Sequence, residues 1–167
     1  MPNKNKNKGK SFEREFAKHL ISVFGLSFNR VPNSGSYTGG QNSFRNNQLS
    51  TEQQLSFEGD TIVPMELKNF RFECKFYNNI GWQKLFDFNG ESHLNKWITQ
   101  AKEGLRKYWF VVFKVNNMGR YIVFNKDLMS KYKCGTNYLI YMNDYCIISL
   151  KDFFEKNKEI LLEMGKE

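Results

Sequence analysis

A chain of 167 residues, 40% hydrophobic and 16% aromatic, has the size and apolar content of one compact domain and is neither a disordered nor a collagen-like polymer. No run approaches the roughly 18 to 20 consecutive apolar residues of a membrane span, and the Asn/Lys-rich N-terminus is unlike a signal peptide, so a soluble intracellular protein with no membrane partner is expected. The formal net charge of +8 favours a polyanionic partner, nucleic acid foremost, with solubility alone as the simpler reading.

Half of that charge, Lys4, Lys6, Lys8 and Lys10, falls in residues 1–10, which contain no acid and too little apolar area to offset ordering, so they read as a flexible basic arm. Ser11 then offers an N-cap, and Phe12, Phe16, Ala17, Leu20, Ile21 and Phe24 recur at helical spacing until Gly25 stops the helix. A short strand over Leu26–Val31 ends at Pro32. Residues 33–58 are rich in Ser, Gly, Asn and Gln and read as a long loop, either a binding or active-site segment or an unstructured insertion. Thr61–Val63, a turn at Pro64 and the alternating Phe70–Tyr77 predict a hairpin.

After a Gly81–Gly90 connection, Ser92 can cap a helix whose Leu94, Trp97, Ile98, Ala101 and Leu105 form one apolar stripe. Trp109–Val115 pairs with Arg120–Phe124 across Asn116–Gly119, and Tyr138–Tyr141 with Tyr145–Leu150 across Asn143 and Asp144. A last helix over Leu150–Met164 presents Phe153, Phe154, Ile160 and Leu161. These elements predict an α/β fold with a central mixed sheet of five to seven strands flanked by helices, without repeats or a second domain. Cys74, Cys134 and Cys146 are odd in number and widely spaced, which argues for reduced core thiols over a zinc site or disulfide framework.

Chemistry is suggested by Glu73-Cys74-Lys75, since residues two apart on a strand share a face and the triplet holds a carboxylate beside an ammonium. Chance also yields such triplets, and Glu66-Leu67-Lys68 is a second one, at a turn with weaker alternation. Asp60, on the preceding strand, favours the first, because the chain between them is long enough to turn and set its carboxylate beside Glu73. Clustered carboxylates repel one another when ionised, and a divalent cation relieves that repulsion. Oxygen ligands without nearby His argue for Mg²⁺ or Mn²⁺ over zinc. Glu13 borders the buried face of the first helix and Gln100 the apolar margin of its own, positions that ordinary helix-surface polarity also explains.

The series Gly9-Lys10-Ser11-Phe12-Glu13-Arg14-Glu15, Phe28-Asn29-Arg30, Ser34-Gly35, Gly59-Asp60 and Phe72-Glu73-Cys74-Lys75 resembles the PD-(D/E)xK nuclease superfamily, and within it the archaeal-type Holliday junction resolvases and their phage-encoded relatives. Trp97-Ile98-Thr99-Gln100-Ala101, leading into the Trp109 strand, is similar to the Gln-bearing helix of many of its branches. The resemblance implies a single restriction-endonuclease-like domain over residues 11–167, in which Asp60, Glu73 and the Cys74 carbonyl bind metal and Glu13 supports it. It implies that Lys75 orients or activates the attacking water, that Gln100 assists, and that Arg14, Arg30 and Ser34 lie near DNA phosphates, alongside the basic Lys8 and Lys10.

Two features depart from the resolvase pattern: residues 35–59 exceed the usual short link, and Thr61 follows Asp60 where an aliphatic residue is usual. The expected function is a Mg²⁺-dependent endonuclease, with Mn²⁺ able to substitute, that resolves Holliday junctions as a homodimer. Alternatives are another nuclease of the superfamily, of restriction, repair or single-strand type, and a non-catalytic DNA-binding protein. The Asn/Lys-rich composition and small size suit a phage protein acting in host cytoplasm.

Overall fold

The computed structural model describes residues 4–32, 48–78, 81–85 and 92–167. Helix α1 (Lys4–Phe24) starts seven residues ahead of Ser11, so the Lys-rich stretch 4–10 forms its first turns. Phe12, Phe16, Ala17, Leu20 and Phe24 are buried, while Ile21 faces outward. The helix stops at Gly25, whose φ of 69° lets its N–H return to the Ile21 carbonyl, the left-handed ending that glycine favours.

Strand β1 (Asn29–Arg30) pairs antiparallel with β2 (Thr61–Ile62). The predicted hairpin between the second and third strands is therefore not formed. Pro64 and a 3₁₀ turn at Met65–Leu67, anchored by the buried Leu67, carry the chain to β3 (Phe70–Tyr77), which pairs in parallel with β4 (Tyr108–Val115). Between β1 and β2 the polar segment contains a helix, α2 (Thr51–Ser56), closed by a reciprocal Ser50–Gln53 capping box.

The crossover from β3 to β4 carries α3 (Trp82–Leu85) and α4 (His93–Lys102), the latter capped by Ser92. It ends before Leu105, which is exposed. Strands β5 (Gly119–Asn125), β6 (Tyr138–Tyr141) and β7 (Tyr145–Ser149) complete a five-stranded sheet in the order β3-β4-β5-β7-β6, and α5 (Phe153–Lys166) closes the chain. Both tight turns occur where expected, with Asn117, Met142 and Asn143 at positive φ.

Alternation along β4 divides the core in two. Phe110 and Val112 join Phe70, Phe72 and the faces of α1 and α5, whereas Val111, Phe113 and Val115 join Trp97, Ile98 and Leu94 of α4. Each buried Phe or Leu contributes roughly 1.5–3 kcal/mol, and Phe16, Phe72, Phe110 and Phe154 interlock in edge-on and stacked pairs. The mixed sheet sandwiched between helices is the restriction-endonuclease-like architecture expected above. Among the described residues no helix is long and apolar enough to cross a membrane.

Candidate active site

Strand β3 lies at the edge of the sheet, so one side of its backbone is open. Phe70, Phe72 and Cys74 point into the core, which leaves Arg71, Glu73 and Lys75 together on the opposite face. Asp60 docks on the open edge: its main-chain N–H donates to the Phe72 carbonyl at 2.8 Å, and its Oδ2 accepts the Cys74 N–H at 2.8 Å. Gly59 makes this approach possible, since its φ is +75° and a Cβ there would lie 2.7 Å from the Phe72 oxygen. In a strand the N–H and C=O of one residue leave on the same side, so the Cys74 carbonyl shares the open edge with Asp60.

Glu73 is 2% exposed and Asp60 8%. Glu73 Oε1 accepts from Arg71, and Lys75 Nζ stands 3.3 Å from Oε2. The same Nζ donates to Gln100 Oε1 on α4 at 2.8 Å. Glu13, buried on α1, is ion-paired with Arg30 of β1. Burial, followed by the negative charge of Glu73, pushes the Asp60 carboxyl up to about 7, with Glu13 adding and Lys75 and the Cys74 N–H opposing. Burial and the same carboxylates raise the Cys74 thiol, which sits in the apolar core, so Cys74 can offer only its backbone to the site.

The residues singled out from the sequence are thus distributed as follows. Glu13, Asp60, Glu73 and Lys75 converge on one pole of the sheet, and Gln100 reaches it through Lys75. Glu66 and Lys68, the other triplet, are exposed around the 3₁₀ turn. Of the candidate DNA-contacting residues, Lys8 donates to Asn78 Oδ1 at 2.8 Å, Lys10 is half-buried, Arg14 is exposed and Arg30 is engaged by Glu13. Ser34 lies outside the described residues.

Among the described residues no three His, Cys, Asp or Glu side chains form a ready metal cage. The donor set at the β3 edge is two buried carboxylates and a main-chain carbonyl, hard oxygens of the kind that hold Mg²⁺ or Mn²⁺ together with several waters. Burial, followed by the charge of Glu73, disfavours the ionised Asp60 carboxyl, a penalty that a bound cation offsets, so the residues present fit such an ion.

Arg71, Glu58 and Arg106 form a buried ionic network behind Glu73 that sequence reasoning did not single out. The signal for Arg71 was its position two residues before Glu73, on the same strand face. Glu58 and Arg106 carry no local signal, because they meet only through the fold.

A single α/β domain with an acidic, lysine-bearing sheet edge has the fold and residue pattern of the PD-(D/E)xK nuclease class. Residues 4–164 match the family described as "Phage putative PDDEXK endonuclease", and the chain belongs to that family. No curated protein and no solved structure matches it. A nuclease of this class would bind DNA, and PD-(D/E)xK nucleases generally use divalent metals.

Proposed function

We propose that the protein is a Mg²⁺-dependent, structure-selective DNA endonuclease that resolves four-way junctions as a homodimer in the cytoplasm of a phage-infected host. The observation that carries the chemical part is the meeting of Asp60, Glu73 and Lys75 at the open edge of β3. The junction preference rests on the resemblance of the Glu13, Arg30, Asp60 and Glu73–Lys75 series to resolvases. A two-fold symmetric junction needs two sites, which a homodimer with an isologous interface supplies.

In this reading Asp60, Glu73 and the Cys74 carbonyl hold the metal, with Glu13 in support. When bound, the ion supplies Lewis acidity for the phosphoryl oxygen and lowers the pKa of a bound water. Lys75 places positive charge beside that water. An ammonium has three N–H donors, and among the described residues Gln100 and Glu73 face two of them, leaving one for the water or the phosphate. Lys8, Lys10 and Arg14 on α1 and Arg30 on β1 add phosphate contacts, and the resemblance assigns Ser34 the same role.

The test incubates end-labelled four-way junction, linear duplex and single strand with Mg²⁺ or EDTA, alongside Glu73→Ala. Symmetric paired nicks in the junction alone, lost in EDTA and in the variant, are expected. Cleavage of linear or single-stranded DNA would retain the nuclease and discard the resolvase. A strict monomer by light scattering, even with junction present, would contradict the dimer.

A further inference from the structure

Arg71 is two residues from Glu73 on the same face of β3, and its side chain is 11% exposed. Its Nε at 3.0 Å and Nη2 at 2.6 Å both donate to one oxygen of Glu73, Oε1. Nη1 stands 3.4 Å from Oε1 of Glu58. Glu58 accepts the main-chain N–H of Arg106 at 3.3 Å and lies 3.5 Å from its Nε, and Arg106 is tied in turn to the carbonyls of Leu55 and Lys68. The guanidinium is therefore anchored from behind, and half of the Glu73 carboxylate is committed to it. The other oxygen, Oε2, faces Lys75.

We propose that Arg71 is a positioning residue that confines Glu73 to a single metal-facing oxygen and thereby sets which divalent ion the site accepts. The inference rests on the reading of this edge as a metal centre. A carboxylate oxygen that accepts two N–H groups from a rigid fork has little lone-pair capacity left for a cation. Mg²⁺ is small, octahedral and satisfied by one oxygen per carboxylate, whereas Ca²⁺ takes six to eight oxygens and readily uses a carboxylate through both. Capping Oε1 disfavours the second mode, and releasing it opens that mode chiefly to the larger ion. Charge alone has a different signature: removing a nearby cation strengthens the binding of every divalent ion by Coulomb's law and leaves their ratio nearly fixed. Because Glu58 lies two residues beyond α2, the clamp also ties that helix to the centre.

The test is calorimetric titration of the full chain with Mg²⁺ and separately with Ca²⁺, in the native sequence, in Arg71→Met and in Arg71→Met/Glu58→Gln. The double variant removes the carboxylate that the single one leaves buried and unpaired. In each variant that melts cooperatively, the ratio of the Ca²⁺ to the Mg²⁺ Kd is expected to fall about tenfold, the lower end of what outer-shell partners of metal ligands contribute. An unchanged ratio, with both affinities shifted together, overturns the proposal. If neither variant folds, Glu58→Gln alone loosens the anchor and is expected to move the ratio the same way to a smaller extent, and constancy there overturns it equally. Absence of binding of either ion to the native sequence overturns the metal-centre reading as well, whereas native binding with a constant ratio overturns only the role of Arg71.

Discussion

Gln100 of α4 accepts a hydrogen bond from Nζ of Lys75 on β3 at 2.8 Å, joining the helical layer to the sheet edge where the carboxylates gather. A lysine side chain has four flexible carbons, so this bond and the nearby Glu73 Oε2 fix where its charge sits. In Gln100→Ala, Lys75 keeps its charge and loses one anchor. Turnover is expected to fall ~10- to 100-fold, as for loss of a single preorganising group, with Mg²⁺ affinity unchanged. Single-turnover cleavage and calorimetry separate the two. A parallel loss of metal binding would place Gln100 in the metal site instead.

In the proposed mechanism Glu73 is a metal ligand and Lys75 the charge beside the attacking water, so replacing either by Ala removes chemistry and leaves the α1 residues proposed to hold DNA unchanged. Cleavage should drop at least ~100-fold in each, while junction affinity by fluorescence anisotropy stays near the native value. Native turnover in both variants would move the chemistry elsewhere.

The Asp60 carboxyl titrates near 7 in the folded chain and near 3.8 when exposed. The folded state thus binds more protons between those values, so the contribution of Asp60 to stability is complete below about pH 4 and is lost as pH rises through 7. In EDTA, Asp60→Asn should show a flatter dependence of Tm on pH from 5 to 8 than the native chain. Equal slopes would mean that Asp60 ionises without penalty.

Much of this arrangement is legible in the sequence because it rests on local periods. The spacing of Phe12, Phe16 and Leu20 marks α1, and the two-residue step from Glu73 to Lys75 marks a shared strand face. Less legible is what depends on distant partners. Nothing near Thr61 says that β2 pairs with β1 instead of folding back on β3, and Glu58, Arg71 and Arg106 meet only in the folded chain. The helix at 51–56 is an intermediate case: the polar composition of its surroundings reads as loop, although Ser50 and Gln53 have the spacing of a capping box. At the N-terminus, composition suggests an arm, while residues 4–8 contain no Gly or Pro and continue the helix out to Lys4.

Gly59 offers the sharpest test of how the fold positions Asp60. Its φ of +75° is costly for any residue with a Cβ, and an added methyl would lie 2.7 Å from the Phe72 oxygen that already accepts the Asp60 N–H. Gly59→Ala must therefore push the segment off the β3 edge or strain it. The expected cost is ~2 kcal/mol, a fall in Tm of roughly 4–8 °C for a domain of this size, with cleavage reduced further because Asp60 leaves the Cys74 N–H. Gly9→Ala is the matched control: Gly9 lies within α1 with open space around its Cα, so the same substitution should raise stability by ~0.5–1 kcal/mol. Equal melting temperatures for the two variants would show that the close approach of residue 59 to β3 does not hold Asp60 in place.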